Sequence, residues 1–150
     1  EIVSCNGQML LNLSPRADGT FPKDQKLVVY ETGRWLWTFG ESIYETRPFL
    51  VPNETIQDDI KLTFTTRKDA MYAITSEWPG GVTKAPSFSF NLTELSTDKL
   101  GEKVASVELF GLKKIEPCTF EHTSDGLTII VPDRVRLPSD IAQVFKIYFE

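Results

Sequence analysis

Apolar residues recur at three- and four-residue intervals between Lys23 and Phe39, and at every second position from Ile60 onward; this change of period divides the chain. In the first stretch Leu27, Val28, Thr32, Trp35, Leu36 and Phe39 fall on one side of a predicted helix. Lys23, Lys26, Glu31 and Arg34 populate the rest. Pro22 suits a first helical position, where its missing N–H is not needed, and Gly40 suits the residue that stops a helix in left-handed geometry. Ahead of the helix, QMLLNL (8–13) is a short apolar run of the kind carried by a strand buried on both faces. The turn formers of SPRADGT (14–20) join the two, with Asp18 capping local backbone before Gly19. Strand, loop and helix make a βα unit, whose strand needs neighbours and whose helix needs a sheet to cover.

From Ile60 the alternation is that of strands. In IKLTFTT (60–66), Ile60, Leu62 and Phe64 point one way and Lys61, Thr63 and Thr65 the other. MYAITSEW (71–78) follows across Arg67-Lys68-Asp69 as a hairpin partner. Further strands are expected at SFSFNL (87–92), VASVELF (104–110), CTFEH (118–122), LTIIV (127–131) and VFKIYF (144–149), with Thr123-Ser124-Asp125-Gly126 as a hairpin turn of the Asp-Gly type. Short strands at this spacing predict an antiparallel β-sandwich. Pro48 and Pro52 mark a stiff linker between Arg47 and Thr55.

Composition narrows the function. A chain of 150 residues is long enough for one good core. A net charge of -5 and the lack of any basic run argue against nucleic acid, which needs clustered Lys and Arg. No apolar run approaches the roughly 20 residues of a membrane span. The opening EIVSCNGQMLLNL has no basic stretch ahead of an apolar one, so it is not a signal peptide. With no initiator Met and a strand-like run at once, it is expected to follow residues upstream. Cys5 and Cys118 are the only cysteines, and free thiols are their expected state. There is no CxxC, and His122, the only histidine, has no metal-ligating neighbour, so no metal site is expected.

Candidate chemistry is sparse. Glu41 and Glu45, four apart, share one helix face, and a carboxylate pair is what glycoside hydrolysis requires. Two glutamates at a helix end are more commonly a solvated face. His122 sits in a strand pattern without a partner and reads as structural. WPGGVT (78–83) lacks the Lys-Ser/Thr and helix of a phosphate loop. No serine stands in a GxSxG elbow. Trp35 belongs to the apolar side of the helix, which leaves Trp37 and Trp78 as candidates for stacking a sugar or forming an interface. Asn53 and Asn91 head sequons that matter only on a eukaryotic secretory route.

Two stretches carry a family resemblance. NGQMLLNLSPRADGTFPKDQK (6–26) and GRWLWTFGESIYETRPF (33–49) resemble the closing part of the barrel in the α-L-fucosidases of glycoside hydrolase family 29. The shared positions are Asn6, Gly7, Leu10, Leu11, Asn12, Pro15, Asp18, Gly19, Pro22 and Gln25, then Gly33, Trp35, Leu36, Gly40, Glu41, Ile43, Tyr44, Thr46, Arg47 and Pro48. The resemblance implies a mainly β chain with a βα remnant: residues 1–50 are the final βα unit of a (β/α)8-like catalytic barrel, and residues 51–150 a C-terminal antiparallel β-sandwich. It implies a parent that is a retaining exo-α-L-fucosidase, exported from the cytoplasm and acting on terminal α-L-fucose of glycans. The nucleophile, the acid/base and the fucose-binding residues of the family lie upstream, so no catalytic residue is expected here. Asn12, Leu13 and Ser14 would lie near the pocket rim, at the C-terminal end of the last barrel strand. No cofactor is implied, since two carboxylates suffice.

The implied partners are the N-terminal barrel and, through the complete enzyme, a fucosylated glycan; self-association stays open. Trp35, Leu36 and Phe39 are expected to cover a sheet, and Trp37 and Tyr44 to lie at the contact between the two units. The alternative readings are a free-standing carbohydrate-binding sandwich that uses Trp37 and Trp78, and a purely structural or oligomerisation module.

Overall fold

The computed structural model describes residues 1–68, 70–78, 88–111, 116–132 and 139–150. The predicted helix is α1 (Lys23–Phe39), with Pro22 as its N-cap rather than its first residue. Among the described residues, eight strands follow: β1 (Arg47–Thr55), β2 (Lys61–Arg67), β3 (Ala70–Thr75), β4 (Phe88–Leu92), β5 (Val104–Leu109), β6 (Glu116–Thr123), β7 (Gly126–Val131) and β8 (Gln143–Phe149). A single turn of helix, α2 (Thr97–Leu100), lies between β4 and β5 and ends at Gly101, whose φ of 68° is the left-handed conformation that glycine permits. The expected glycine-rich loop after Trp78 lies outside the described residues.

All strand pairs are antiparallel, in the order β1-β2-β3-β8-β5-β6-β7-β4. β6 turns the corner: Glu116–Cys118 pair with β5, while Thr119–Thr123 pair with β7. The ladder thus folds back on itself, and one core fills the space between its halves, with Leu62, Phe64, Met71, Phe145 and Ile147 on one side and Phe90, Leu92, Leu127, Ile129 and Val131 on the other. This is the expected sandwich. The β6–β7 hairpin falls where expected, but its turn is not of the Asp-Gly type: the two loop residues are Ser124-Asp125, between the paired Thr123 and Gly126.

Side chains tie the sheet's outer strands together. The Glu54 carboxylate on β1 accepts the Thr93 N–H and hydroxyl, both at 2.7 Å, and the Glu94 N–H at 3.2 Å, just past β4. The Gln57 amide donates to the Ser89 carbonyl at 2.8 Å. His122 is structural. Val104 N–H donates to its Nδ1 at 3.3 Å, which leaves the proton on Nε2 to serve the Leu95 carbonyl at 3.0 Å. Both cysteines are free; Cys118 is buried, and burial pushes its thiol up to about 11.

Four expectations are corrected. The linker at Arg47–Thr55 is strand β1. It is an edge strand in which residues 49–52 bulge out of register between Pro48 and Asn53, and an edge is where prolines without an N–H are tolerated. It also runs across residue 50. Residues 8–13 form no strand; they are nearly all exposed, because none of the described strands pairs with them and a strand exists only in a ladder. Gly40 ends α1 as expected, but as its C-cap with a φ of -57° and not in left-handed geometry, the chain tightening into a 3-10 turn at Gly40–Ser42. A Cβ there would come within 2.8 Å of the Tyr44 ring, which would have to shift. Finally, the apolar side of α1 is only half used. Phe39 is buried and Trp35 half-buried, but Leu27 is 59% and Val28 54% exposed.

Candidate functional site

The two ends of the sequence meet at the outer face of the sheet. Alternation sends Met71, Ala73, Phe145 and Ile147 into the sandwich core, and so sends Ala70, Tyr72 and Val144 to the opposite face. There the last turns of α1 cover them. Phe39 stacks on Trp35, with ring centroids 5.0 Å apart, and meets Phe110 edge-on at 6.2 Å. Trp35 Nε1–H donates to the Ala142 carbonyl at 3.1 Å. The Thr65 hydroxyl donates to the Ser42 carbonyl at 2.7 Å, fixing the 3-10 turn on β2. An apolar seam therefore joins helix and sheet, with Ser42 and Thr65 buried and satisfied within it.

At the rim of the seam lies the strongest electrostatic feature of the described residues. Glu41 Oε1 accepts Lys146 Nζ at 2.6 Å and the Tyr72 hydroxyl at 2.5 Å. Lys146 Nζ also lies 4.8 Å from the centre of the Tyr148 ring and 5.4 Å from that of Phe110. Arg67 reaches Glu45 at 2.6 Å beside them. Glu41, Arg67, Lys68, Ala70, Tyr72, Lys146 and Tyr148 line a cleft of about 220 Å³.

The hydrogen bonds from Lys146 and Tyr72 hold the Glu41 carboxyl below its ordinary range. For Lys146, burial works against the ammonium, but the bonds to Glu41 and Tyr148 outweigh it and raise it. Burial, followed by the bond to Glu41, raises Tyr72.

This arrangement suits a clasp and not a catalyst. A general acid near neutral pH needs a carboxyl pushed up, whereas Glu41 is pushed down and Glu45 faces its own cation. The cleft is also smaller than the roughly 300–1,000 Å³ of most ligand pockets. The expectation that the two glutamates are merely a solvated face is corrected for Glu41. Sequence reasoning missed Tyr72, Lys146 and Phe110, although MYAIT is apolar on both faces, the signature of a strand covered on both sides.

A pH dependence follows. Glu41, depressed in the folded state, stabilises the seam above its unfolded value of about 4.3, and that contribution is lost as pH falls through its folded value. Lys146, raised, contributes fully below about 10.4 and is lost only as pH rises through its folded value. Urea midpoints measured from pH 7 down to pH 3 should therefore fall less steeply in Lys146→Met than in the native chain. Identical slopes would mean the clasp contributes nothing.

The four residues singled out from sequence scatter. Asn12 and Ser14 are exposed; Ser14 N–H donates to the Gln25 side chain at 3.0 Å, tying the loop to α1. Trp37 is 92% exposed. Trp78 is corrected: it is 8% exposed, with its ring stacked near parallel to Phe145 at 6.0 Å, so its faces belong to the core and do not offer a sugar platform. Asp18 behaves as expected, accepting the Thr20 N–H at 3.0 Å and hydroxyl at 2.8 Å.

Comparison with known proteins supplies what this geometry lacks. Residues 1–41 match the family model described as alpha-L-fucosidase, and residues 52–148 match the alpha-L-fucosidase C-terminal domain. An alpha-L-fucosidase of Dictyostelium discoideum is 33% identical over 133 residues, covering 87% of this chain and 26% of that protein. The plasma alpha-L-fucosidase of Rattus norvegicus is 38% identical over 79 residues, covering 53% of this chain and 17% of its own length. The crystal structure of Thermotoga maritima alpha-fucosidase with a mechanism-based inhibitor superposes with a TM-score of 0.79 at 26% identity, covering 98% of this chain and 31% of that one. The chain spans less than a third of the length of these relatives.

Proposed function

This chain belongs to the α-L-fucosidase family and corresponds to its C-terminal part, and from that membership we propose that it completes a retaining exo-α-L-fucosidase whose catalytic carboxylates lie in the preceding barrel. The residues ahead of β1 serve as the final βα unit of the (β/α)8-like barrel, and the chain from β1 onward as its sandwich. Terminal α-L-fucose of a glycan is the substrate of the complete enzyme, and hydrolysis through two carboxylates needs no cofactor. Asn12 and Ser14 take their place at the pocket rim once the strand through residues 8–13 has neighbours.

The observation that carries this reading is the half-used helix. The sheet holds α1 by its last turns, while Leu27, Val28 and Val29 nearer its start, and Met9, Leu10 and Leu11 before it, stand 40–81% exposed. Burying one such side chain is worth about 1.5–3 kcal/mol, so this surface calls for a partner that the sandwich does not supply. A free-standing sugar-binding module is disfavoured, because Trp78 is enclosed in the core.

The purified chain should leave a nitrophenyl α-L-fucoside at the buffer rate, and the chain joined to its barrel should hydrolyse it. Hydrolysis by the chain alone would overturn the proposal.

A further inference from the structure

Two sequons play no part in the fucosidase reading, and the fold treats them differently. Asn53-Glu54-Thr55 belongs to β1, while Asn91-Leu92-Thr93 runs from the end of β4 into a 3-10 turn at Thr93–Leu95. Asn12-Leu13-Ser14 has the same form, but Pro15 follows it directly and restricts the conformation of Ser14, which a transferase must read. Asn53 stands on the side where the residues ahead of β1 dock. It pairs with Thr63, whose neighbours Leu62 and Phe64 point into the core, so both lie on the outer face. On that face Thr65 holds the Ser42 carbonyl at 2.7 Å, and Lys61, opposite Thr55, holds Glu1 at 2.7 Å. Asn53 is half-buried there.

Asn91 stands on the opposite side. Its neighbours Phe90 and Leu92 enter the core from β4, so Asn91 lies on the outer face of the far half of the sandwich. Two cross-strand rows make up that face, Asn91–Thr128–Glu121 and Ser89–Ile130–Thr119. Thr128 is half-buried and the other five residues are exposed, so the face is open among the described residues. The thickness of the sandwich separates it from α1, and a barrel built around α1 grows away from it. The amide is also set for a substituent. The Asp125 carbonyl can only accept, so the Asn91 atom beside it is Nδ2, donating at 3.1 Å, while Oδ1 accepts the Thr128 hydroxyl at 3.2 Å. The second N–H of Nδ2 has no partner among the described residues. A sugar on Nδ2 replaces that hydrogen and leaves both bonds in place.

We propose that Asn91, and neither Asn53 nor Asn12, carries an N-glycan when this protein passes through a eukaryotic secretory route. Asn91 Nδ2 attacks C1 of an oligosaccharide carried on a lipid diphosphate. The Nδ2–C1 bond forms, the bond from C1 to the diphosphate oxygen breaks, and the amide proton passes to a base of the transferase. Transfer precedes folding, because in the folded chain the Thr93 hydroxyl that marks the sequon is bonded to Glu54 at 2.7 Å. The fold then decides which sugar the finished protein can keep. The inference adds a modification that the fucosidase reading lacks, and rests on that reading only for the side on which the barrel lies.

The test secretes the barrel-bearing polypeptide from cultured eukaryotic cells and treats it with a peptide-N-glycosidase in heavy-oxygen water. Each sugar-bearing asparagine is thereby converted to a labelled aspartate, which peptide masses locate. Of the three asparagines, Asn91 alone is expected to convert. Thr93→Ala should remove the sugar, and Thr93→Ser, which keeps a hydroxyl both for the sequon and for Glu54, should retain it. An unmodified Asn91, a sugar on Asn53 or Asn12, or a sugar on Asn91 that survives Thr93→Ala overturns the proposal. A product glycosylated at Asn91 that leaves a nitrophenyl α-L-fucoside untouched supports the site and counts against the fucosidase reading instead.

Discussion

Replacing Phe145 by alanine is expected to remove about 3–5 kcal/mol of stability, a large share of the roughly 5–15 kcal/mol that keeps a domain folded. The ring is fully buried, stacked with Trp78 at 6.0 Å and edge-on to Phe90 at 5.3 Å. Phe145 belongs to β8, in the middle of one sheet, and Phe90 to β4, at the end of the facing one. The cavity would open between two sheets whose backbones are fixed by their ladders, so little collapse can fill it. The urea midpoint should fall with an unchanged slope, while Trp37→Ala, at an exposed helix position, stays within about 0.5 kcal/mol. A loss below 1 kcal/mol for Phe145→Ala would mean that the two halves do not share this core. The same geometry dictates how Trp78→Ala is read: any loss of binding there reports a broken core before it reports a lost sugar contact.

What the sequence made legible follows from how far apart the interacting residues lie. Helix α1 was legible to the residue from Lys23 to Phe39, because a helix is held by bonds four residues apart. Most strands were legible from period-two alternation, and the place of the β6–β7 hairpin from its turn formers, though not which two residues make the turn. The larger misses depend on distant parts. QMLLNL has the composition of a buried strand but no described strand beside it. RPFLVPNET hides an edge strand behind two prolines, since Glu54 and the β2 ladder that secure it belong to other segments. The Glu41–Tyr72–Lys146 clasp joins residues up to 105 apart in the chain, and nothing local marks Lys146 as different from other strand lysines. Trp78 read as a loop-side platform because its partner Phe145 lies far along the chain.

Phe39→Ala is expected to cost the seam about 3–5 kcal/mol while leaving the sandwich folded. Phe39 is the only fully buried side chain in α1, and the described contacts between helix and sheet gather around it: Trp35 on one side, Phe110 on the other and Gly111 beneath. Amide exchange in α1 should accelerate by orders of magnitude in the variant, while β3 and β8 keep their protection, because their inner faces belong to the separate core of Phe64, Met71, Phe145 and Ile147. Gly111 gives an independent way to press on the same contact. Its φ is 99°, and an added Cβ would fall 2.3 Å from a Phe39 ring carbon. Gly111→Ala should therefore loosen α1 as well, through backbone strain plus the clash with the ring. In the Phe39→Ala background the clash vanishes and only the strain remains, so the two changes together should cost less than their sum by about 1–3 kcal/mol. Strict additivity would mean the ring and Gly111 do not touch. Unchanged α1 protection in Phe39→Ala would show that something other than this seam carries the helix, and with it the barrel, on the sandwich.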